Sequence, residues 1–461
     1  MKVMQSSKKQ KSKNSLSSCC VYFGEDKSDA ESLSEKFVGL KCTDGKLKIY
    51  FPVGYRKPDE KNNSPAEIEK EVRRNILNLI QILWRFGEKE DNLSALPLPV
   101  KNQKVDFPIH AYLFIIRDFL SNGYYVQKET LYSKTPGGKV SWNRTIKSVR
   151  PQFLDFQPFY FDFITQKINY SQTELISQIH RFCVHECFSK LGFLFSSFMP
   201  EKSELKLNKN LFVATIKKAV AQTFNENNLL LFKSMLDVLN FLDENSENKE
   251  FIYGTQNFHI IWEKMIDCIF GESKKENFYP KVYWKLENGN GSEERYYFKT
   301  DEKRNTLRPD TIMITSRGKK GQKIFVLDSK YYRYGATGIK NHLPDSASIV
   351  KQFAYAEYIE KNASIPNDVK NNRTENSVFN AFIMPACTEQ IKNIGYASAD
   401  YILPEKDSSD VSCVPEKSWH KIHGILLDTK TIMEHAAKKD NELIEQLAAA
   451  IEENRLDILF L

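Results

Sequence analysis

Apolar residues along this chain recur with two periods. In "SPAEIEKEVRRNILNLIQILWRFGE" (64–88), Ile68, Val72, Ile76, Ile80 and Leu83 form one helical stripe. Ser64 is placed as its N-cap and Pro65 at its first turn. "FPIHAYLFIIRDFLSNG" (107–123) predicts a second helix, ended by Gly123. Helical spacing returns at about 171–195, 209–242, 255–271 and 346–362, and in two segments near the C-terminus. Short apolar runs between turn residues predict strands at 37–55 around a D-G turn and at 124–146 around a P-G-G turn. Further strands are expected at 281–286, 294–299, 377–386 and 421–428. The polar run "DENSENKE" (243–250) is the candidate domain boundary. Residues 1–36 then form a disordered basic tail, 37–245 a mostly helical region with small β elements, and 246–461 a helix, mixed β-sheet, helix and strand. The fold class is α+β, with a mixed α/β core in the C-terminal half.

One pair of apolar runs carries charges where a buried strand should be apolar. In "LRPDTIMITSRGKKGQKIFVLDSKYYRYG" (307–335), a turn centred on Lys319 sets Ile314 opposite Ile324 and Ile312 opposite Val326. Asp310 then falls opposite Asp328, and the two-residue period of a strand puts Lys330 on the same side. Directly opposed like charges destabilise a sheet. A hard divalent cation would offset the repulsion, and magnesium characteristically takes one or two carboxylates plus phosphate oxygens and water. Lys330 can hold a water or a phosphate beside that metal, an arrangement suited to phosphodiester hydrolysis. The competing reading is a surface hairpin with solvated charges.

Composition narrows the class without naming a function. The chain has 461 residues, 41% of them hydrophobic, with a formal net charge of +7 and a pI near 8.7. Mild basicity is compatible with a polyanionic partner or with simple solubility. The eight cysteines show no C-x-x-C spacing, so neither a disulfide framework nor a zinc site is expected, and a reducing cytoplasm fits. Cys183, Cys187 and His180 can share a helical face and are read as core. No secretory h-region and no membrane-length apolar run occurs.

The spacing "RPD", 17 residues, "DSK" resembles the motif of the PD-(D/E)XK nuclease superfamily, with Pro309–Asp310 as its first half and Asp328-Ser329-Lys330 as its second. The segments "FHIIWEKMIDCIFG", "LRPDTIMI", "VLDSKYY" and "IVKQFAYAEYIE", in this order, resemble LlaJI-type restriction endonucleases. These are similar to the nuclease subunits of McrBC-type systems, which work with an AAA+ GTPase. "GGKVSWNRTI" (137–146) is similar to a segment ahead of the nuclease domain in that wider group. The resemblance implies a restriction-endonuclease-like core, DNA cleavage in defence against foreign DNA, and Mg2+ as cofactor with Mn2+ as a substitute. It implies Asp310, Asp328 and the Ser329 carbonyl as metal ligands. Lys330 would position the attacking water, and Glu263 on the preceding helix would assist through the metal or its waters. Gln352 would contact a phosphate or an active-site ligand, with packing at the core edge as the alternative.

Recognition of double-stranded DNA needs further residues. Lys139, Trp142 and Arg144, with Lys147 and Arg150, interleave cations with an aromatic ring in a way that suits phosphate contact and stacking. A solvated strand with one packed Trp is the alternative. Lys319 and Lys320 in the hairpin turn are expected beside the site, on flanking DNA backbone. No G-x-x-x-x-G-K-[ST] loop occurs, so any GTP dependence falls to a partner. Three readings stay open: a self-sufficient endonuclease acting as a homodimer beside a cognate DNA methyltransferase, the cleaving subunit of a complex with an AAA+ GTPase, or a non-catalytic DNA-binding protein.

Overall fold

Ser64 caps the helix Pro65–Phe86. Its hydroxyl accepts the Glu67 N–H at 3.4 Å, and the Glu67 carboxylate accepts the Ser64 N–H at 2.8 Å. This reciprocal capping box satisfies two donors that a helix start leaves open. It belongs to a computed structural model that describes residues 19–24, 37–43, 46–87, 107–134, 138–154, 156–171, 174–242, 250–280, 282–287, 293–297, 308–361, 373–399 and 420–452. Within these, the chain divides into two compact units. One is drawn from Met1–Cys19, Cys42–Lys46 and Asn102–Phe251, the other from Cys20–Lys41, Leu47–Lys101 and Ile252–Leu461.

The second unit is built on a five-stranded mixed sheet. Its strand order is Thr311–Thr315, Gln322–Ser329, Arg373–Ala386, Ile422–Asp428, Lys392–Ala397. The outer pairs are antiparallel and the two inner pairings parallel. The hairpin strands bury both faces, with Ile312, Ile314, Ile324 and Val326 on one and Met313, Phe325 and Leu327 on the other. Tyr355, Ala356 and Ile359 of the helix Ser346–Lys361 pack on the first of these faces. The helix Phe258–Phe270 buries Phe258, Ile261, Trp262, Met265 and Ile269, the stripe its spacing predicts.

The same unit takes in residues well ahead of the boundary read at 245/246. A four-stranded sheet has the order Cys20–Gly24, Lys46–Val53, Val38–Thr43, Phe251–Thr255. Pairing across some 200 residues leaves no local signature. The strand Cys20–Gly24 falls within the stretch read as a tail; residues 1–18 and 25–36 of that tail lie outside the described residues.

The first unit packs the helices Ile109–Asn122, Leu175–Leu191, Lys209–Gln222 and Glu226–Phe241. The single helical run expected over 209–242 is broken by Asn225, whose side chain accepts the Asn228 N–H at 3.1 Å and starts a new helix. The hairpin expected around the P-G-G turn is also corrected. Gln127–Ser133 and Lys139–Val140 do not pair with each other; each pairs antiparallel with Thr165–Ser171. Trp142–Ser148 is a helix rather than a strand, held from Ser141 by its carbonyl, which accepts the N–H groups of Arg144 and Thr145. A third strand distant in sequence offered a better ladder than the near neighbour. Among the described residues, no helix is long and apolar enough to cross a membrane.

Candidate active site

The hairpin adopts the symmetric register. Ile312 pairs with Val326 and Ile314 with Ile324. Asp310 lies one residue ahead of the first strand, and its Oδ2 accepts the Ser329 N–H at 2.9 Å. Asp328, 3% exposed, sits beside it, and Lys330 Nζ is 3.0 Å from Asp328 Oδ2. That ion pair lacks hydrogen-bond alignment, so the buried Oδ2 has no hydrogen-bond partner. The strand end is fixed by the Lys330 N–H, which donates to the Ile383 carbonyl at 2.9 Å. The Trp262 indole N–H donates to the same carbonyl at 3.3 Å.

Burial pushes the Asp310 carboxyl up to about 8, helped by hydrogen-bonding contact with Asp328 and by the charges of Asp328 and Glu263; the Ser329 N–H opposes the shift. Burial also raises Glu263, and Asp328 adds to the rise, while His259, Lys330 and Lys351 oppose it. For Lys330, burial disfavours the ammonium, but the charges of Asp328 and Asp310 outweigh it and leave the net shift upward. Burial first, and the closeness of the acids second, therefore suppress ionisation within the cluster.

Three comparisons bear on this cluster. A model of the LlaJI restriction endonuclease family matches residues 37–426. The chain belongs to the LlaJI restriction endonuclease family. It is 26% identical over 321 residues to the type II restriction enzyme BsuMI component YdjA of Bacillus subtilis (strain 168), a match covering 67% of this chain. The chain thus spans 64% of the length of that relative. A chain of the assembly of Thermococcus gammatolerans McrB AAA+ hexamers with bound McrC aligns with 87% of this chain and 81% of its own, at 14% identity and a TM-score of 0.30.

Other residues of the chain hold the two acids in place, and the sequence pattern did not single them out. Lys275 Nζ donates to the Asp310 carbonyl and to Asp267 Oδ2, each at 2.8 Å. The Tyr355 hydroxyl donates to the Arg308 carbonyl at 3.2 Å. Together they fix the backbone on both sides of the buried Pro309. The Tyr331 hydroxyl accepts the Val53 N–H at 2.8 Å, and the Thr429 hydroxyl donates to the Val53 carbonyl at 2.8 Å. Lys275 and Tyr331 carry no periodic signal, because the contacts they make to Asp310 and Val53 are to main-chain atoms.

The remaining predicted residues are scattered. Glu263 lines a cleft of about 400 Å³ with Ser329 and Lys330. Gln352 is fully buried, and its amide nitrogen donates to the Val326 carbonyl at 2.8 Å, which favours the core-packing alternative. Lys319 and Lys320 are exposed, but they sit at the far end of the hairpin from the acids. Five residues of strand at ~3.3 Å each put the turn roughly 17 Å away, which corrects their expected place beside the site. Lys139, Trp142 and Arg144 are exposed in the first unit. Arg144 lies over the Tyr132 ring at 3.8 Å, and Trp142 meets Phe163 edge-on at 5.6 Å. Cys183, Cys187 and His180 are buried on the helix Leu175–Leu191.

The donor set fits a hard cation. Asp328 Oδ2 is a buried oxygen with no hydrogen-bond partner, next to a second carboxylate whose ionisation is suppressed. Among the described residues, no three His, Cys, Asp or Glu side chains form a ready-made metal cage. Two carboxylates could hold a hard cation that takes the rest of its shell from water and phosphate.

Proposed function

We propose that the chain hydrolyses phosphodiester bonds of double-stranded DNA as part of a restriction system. The observation that carries this is the contact of Asp310 with Asp328, with the Lys330 ammonium 3.0 Å from Asp328. Asp310 and Asp328 would hold Mg2+, with the Ser329 carbonyl as a further ligand. The metal would supply Lewis-acid polarisation of the phosphoryl oxygen and a water of lowered pKa. Lys330, kept protonated by Asp328, holds a non-bridging oxygen of the scissile phosphate and offsets the charge that builds on it. Glu263, its carboxyl raised by burial, accepts a proton from the attacking water. The water oxygen bonds to phosphorus as one P–O ester bond breaks, and the leaving oxygen takes up a proton. Two strands need two such sites, so two copies of the chain act together on a duplex.

The test is magnesium-dependent cleavage of plasmid DNA, unmethylated and methylated, by the purified chain. Asp310→Asn and Lys330→Ala should each remove cleavage while DNA binding persists. Cleavage by both variants at the wild-type rate rejects the assignment.

A second reading makes this chain the cleaving subunit of a complex with an AAA+ GTPase. Two observations favour it: the Bacillus relative is named as a component of a restriction enzyme, and this sequence has no phosphate loop of its own. Cleavage that appears only when the product of a neighbouring gene and GTP are added would select it. Cleavage by the chain alone with magnesium would select the self-sufficient enzyme, for which a methyltransferase protecting host DNA is the expected partner.

A further inference from the structure

The helix Ser346–Lys361 is fastened to the hairpin at two points. The Gln352 amide nitrogen donates to the Val326 carbonyl at 2.8 Å, two residues before Asp328. The Tyr355 hydroxyl donates to the Arg308 carbonyl at 3.2 Å, two residues before Asp310. Both side chains are buried, so the helix cannot slide along the strands without leaving a polar group unpaired.

Lys351 stands on this fixed backbone, next to Gln352 and one turn ahead of Tyr355. It is only part-buried, and its Nζ lies 5.6 Å from the centre of the Tyr355 ring. Burial raises the Tyr355 hydroxyl, and the charges of Asp328 and Asp310 add to the rise, which sets that ring near both acids. Burial also raises Glu263, and Lys351 is one of three residues, with His259 and Lys330, whose charges oppose it. Among the described residues, however, no carboxylate forms an ion pair with Lys351. It is not a counter-ion to any of the three acids. The ring face attracts an ammonium and leaves its N–H groups free to donate elsewhere. A compact cation with three donors suits a phosphate oxygen.

We propose that Lys351 is a second substrate-binding cation of this site: it holds a backbone phosphate of the DNA strand next to the one being cut. The inference rests on the nuclease reading of the same site. Lys330 meets the scissile phosphate from the end of its strand, and Lys351 meets the neighbouring phosphate from the helix. Holding two successive phosphates fixes the line of the strand through the site, and so sets the phosphorus against the attacking water. A phosphate contact carries no sequence information, so Lys351 positions the strand without selecting a base.

Binding of the full chain to short DNA duplexes in magnesium is measured over a series of salt concentrations. The chain is used alone or with the neighbouring gene product and GTP, whichever gives cleavage by the wild type. Every protein carries Asp310→Asn, so that the duplex stays whole. Adding Lys351→Gln should weaken binding roughly tenfold, equally on unrelated sequences, and make the log–log salt slope shallower by about one. Lys351→Arg keeps the charge and should keep the slope. The melting temperature checks the fold, and Lys351→Met, whose stem also covers Tyr355, replaces Lys351→Gln if that variant melts early. A neutral methylphosphonate moved along the strand locates the contact. At one position it should weaken binding about tenfold with Lys351 present and have no effect once the charge is removed. An unchanged slope in the folded variant, or the same methylphosphonate effects in both proteins, overturns the proposal. No cleavage by the wild type under either condition, or cleavage by Asp310→Asn at the wild-type rate, defeats the nuclease reading itself, and the proposal falls with it.

Discussion

The Tyr331 hydroxyl accepts the amide hydrogen of Val53 at 2.8 Å, across 278 positions of sequence. Tyr331 directly follows Lys330, so this bond anchors the residue that carries the site's ammonium. Tyr331→Phe keeps the ring against Phe258 but leaves the Val53 N–H without its acceptor. The expected cost is about 1–3 kcal/mol of unfolding free energy, read from a urea titration. Cleavage should fall in kcat with little change in KM. A variant with unchanged stability and rate would show that the bond anchors nothing.

Asp310 gives the site a pH dependence that metal should cancel. Its folded carboxyl is pushed up to about 8, above its ordinary 3.8. A raised carboxyl favours folding at low pH, and that contribution is lost as pH rises from about 4 through about 8. Without metal, the protein should therefore be less stable at pH 8 than at pH 6. Magnesium should restore the melting temperature at pH 8. Asp310→Asn should flatten the metal-free dependence and abolish the magnesium response. A wild-type melting temperature that ignores magnesium at pH 8 would count against the metal ligands proposed.

Lys275 holds the Asp310 carbonyl and Asp267 at once. Lys275→Met frees the Pro309–Asp310 backbone without touching either carboxylate. Cleavage should drop roughly 10–100-fold, the scale of a misplacement near 1 Å. Lys275→Arg should recover part of the loss. Single-turnover rates of the two variants decide the point, and equal rates for both would make Lys275 a surface-type ion pair only.

His180 should make the first unit acid-sensitive. Burial, aided by Arg181, lowers its imidazole to about 4, and its Nδ1 accepts the Tyr125 N–H at 2.9 Å. A lowered histidine favours folding when neutral. Its contribution is complete above about pH 6.5 and is lost as pH falls toward 4. Between pH 7 and pH 5 this amounts to about 2 kcal/mol. His180→Gln should be less stable at pH 7 and lose less on acidification. Parallel pH profiles for the two proteins would contradict this.

The turn at Lys319 controls the site from a distance. The Lys319 N–H donates to the Ser316 carbonyl, and the Gly318 N–H donates to Gln322 Oε1 at 2.8 Å. Ser316, Gly318 and Gly321 all have positive φ, which packs the turn into few residues. Deleting Lys319 forces a slip that turns alternate side chains to the opposite face. Cleavage should disappear while the circular dichroism of the folded state persists. Wild-type cleavage by this deletion would show that the register of the two acids is set elsewhere.

Much of the local architecture was legible along the chain. The capping box at Ser64, the stripe of Phe258–Phe270 and the symmetric hairpin all follow from contacts within a few residues, where period and turn chemistry act directly. Where the partner is remote, pattern fails. Gln127–Ser133 found its ladder in Thr165–Ser171, and Lys46–Val53 joined a sheet with Phe251–Thr255. Gln352 had the spacing of a residue facing the site, yet its helix turns it into the interior, where its amide nitrogen meets the Val326 carbonyl.

The sequence by itself determined which side chains could do chemistry here. Asp310, Asp328 and Lys330 stand out because charges in an apolar alternation are costly unless something offsets them, and strand period alone sets them on one face. Tertiary structure decided how those charges are held. Lys275, Tyr355, Tyr331 and Thr429 act on carbonyl and amide groups that every residue carries, so no residue pattern announces them. The cleft beside Lys330 likewise arises only because Phe51 and Val53, some 280 positions earlier, fold against the end of the strand Gln322–Ser329.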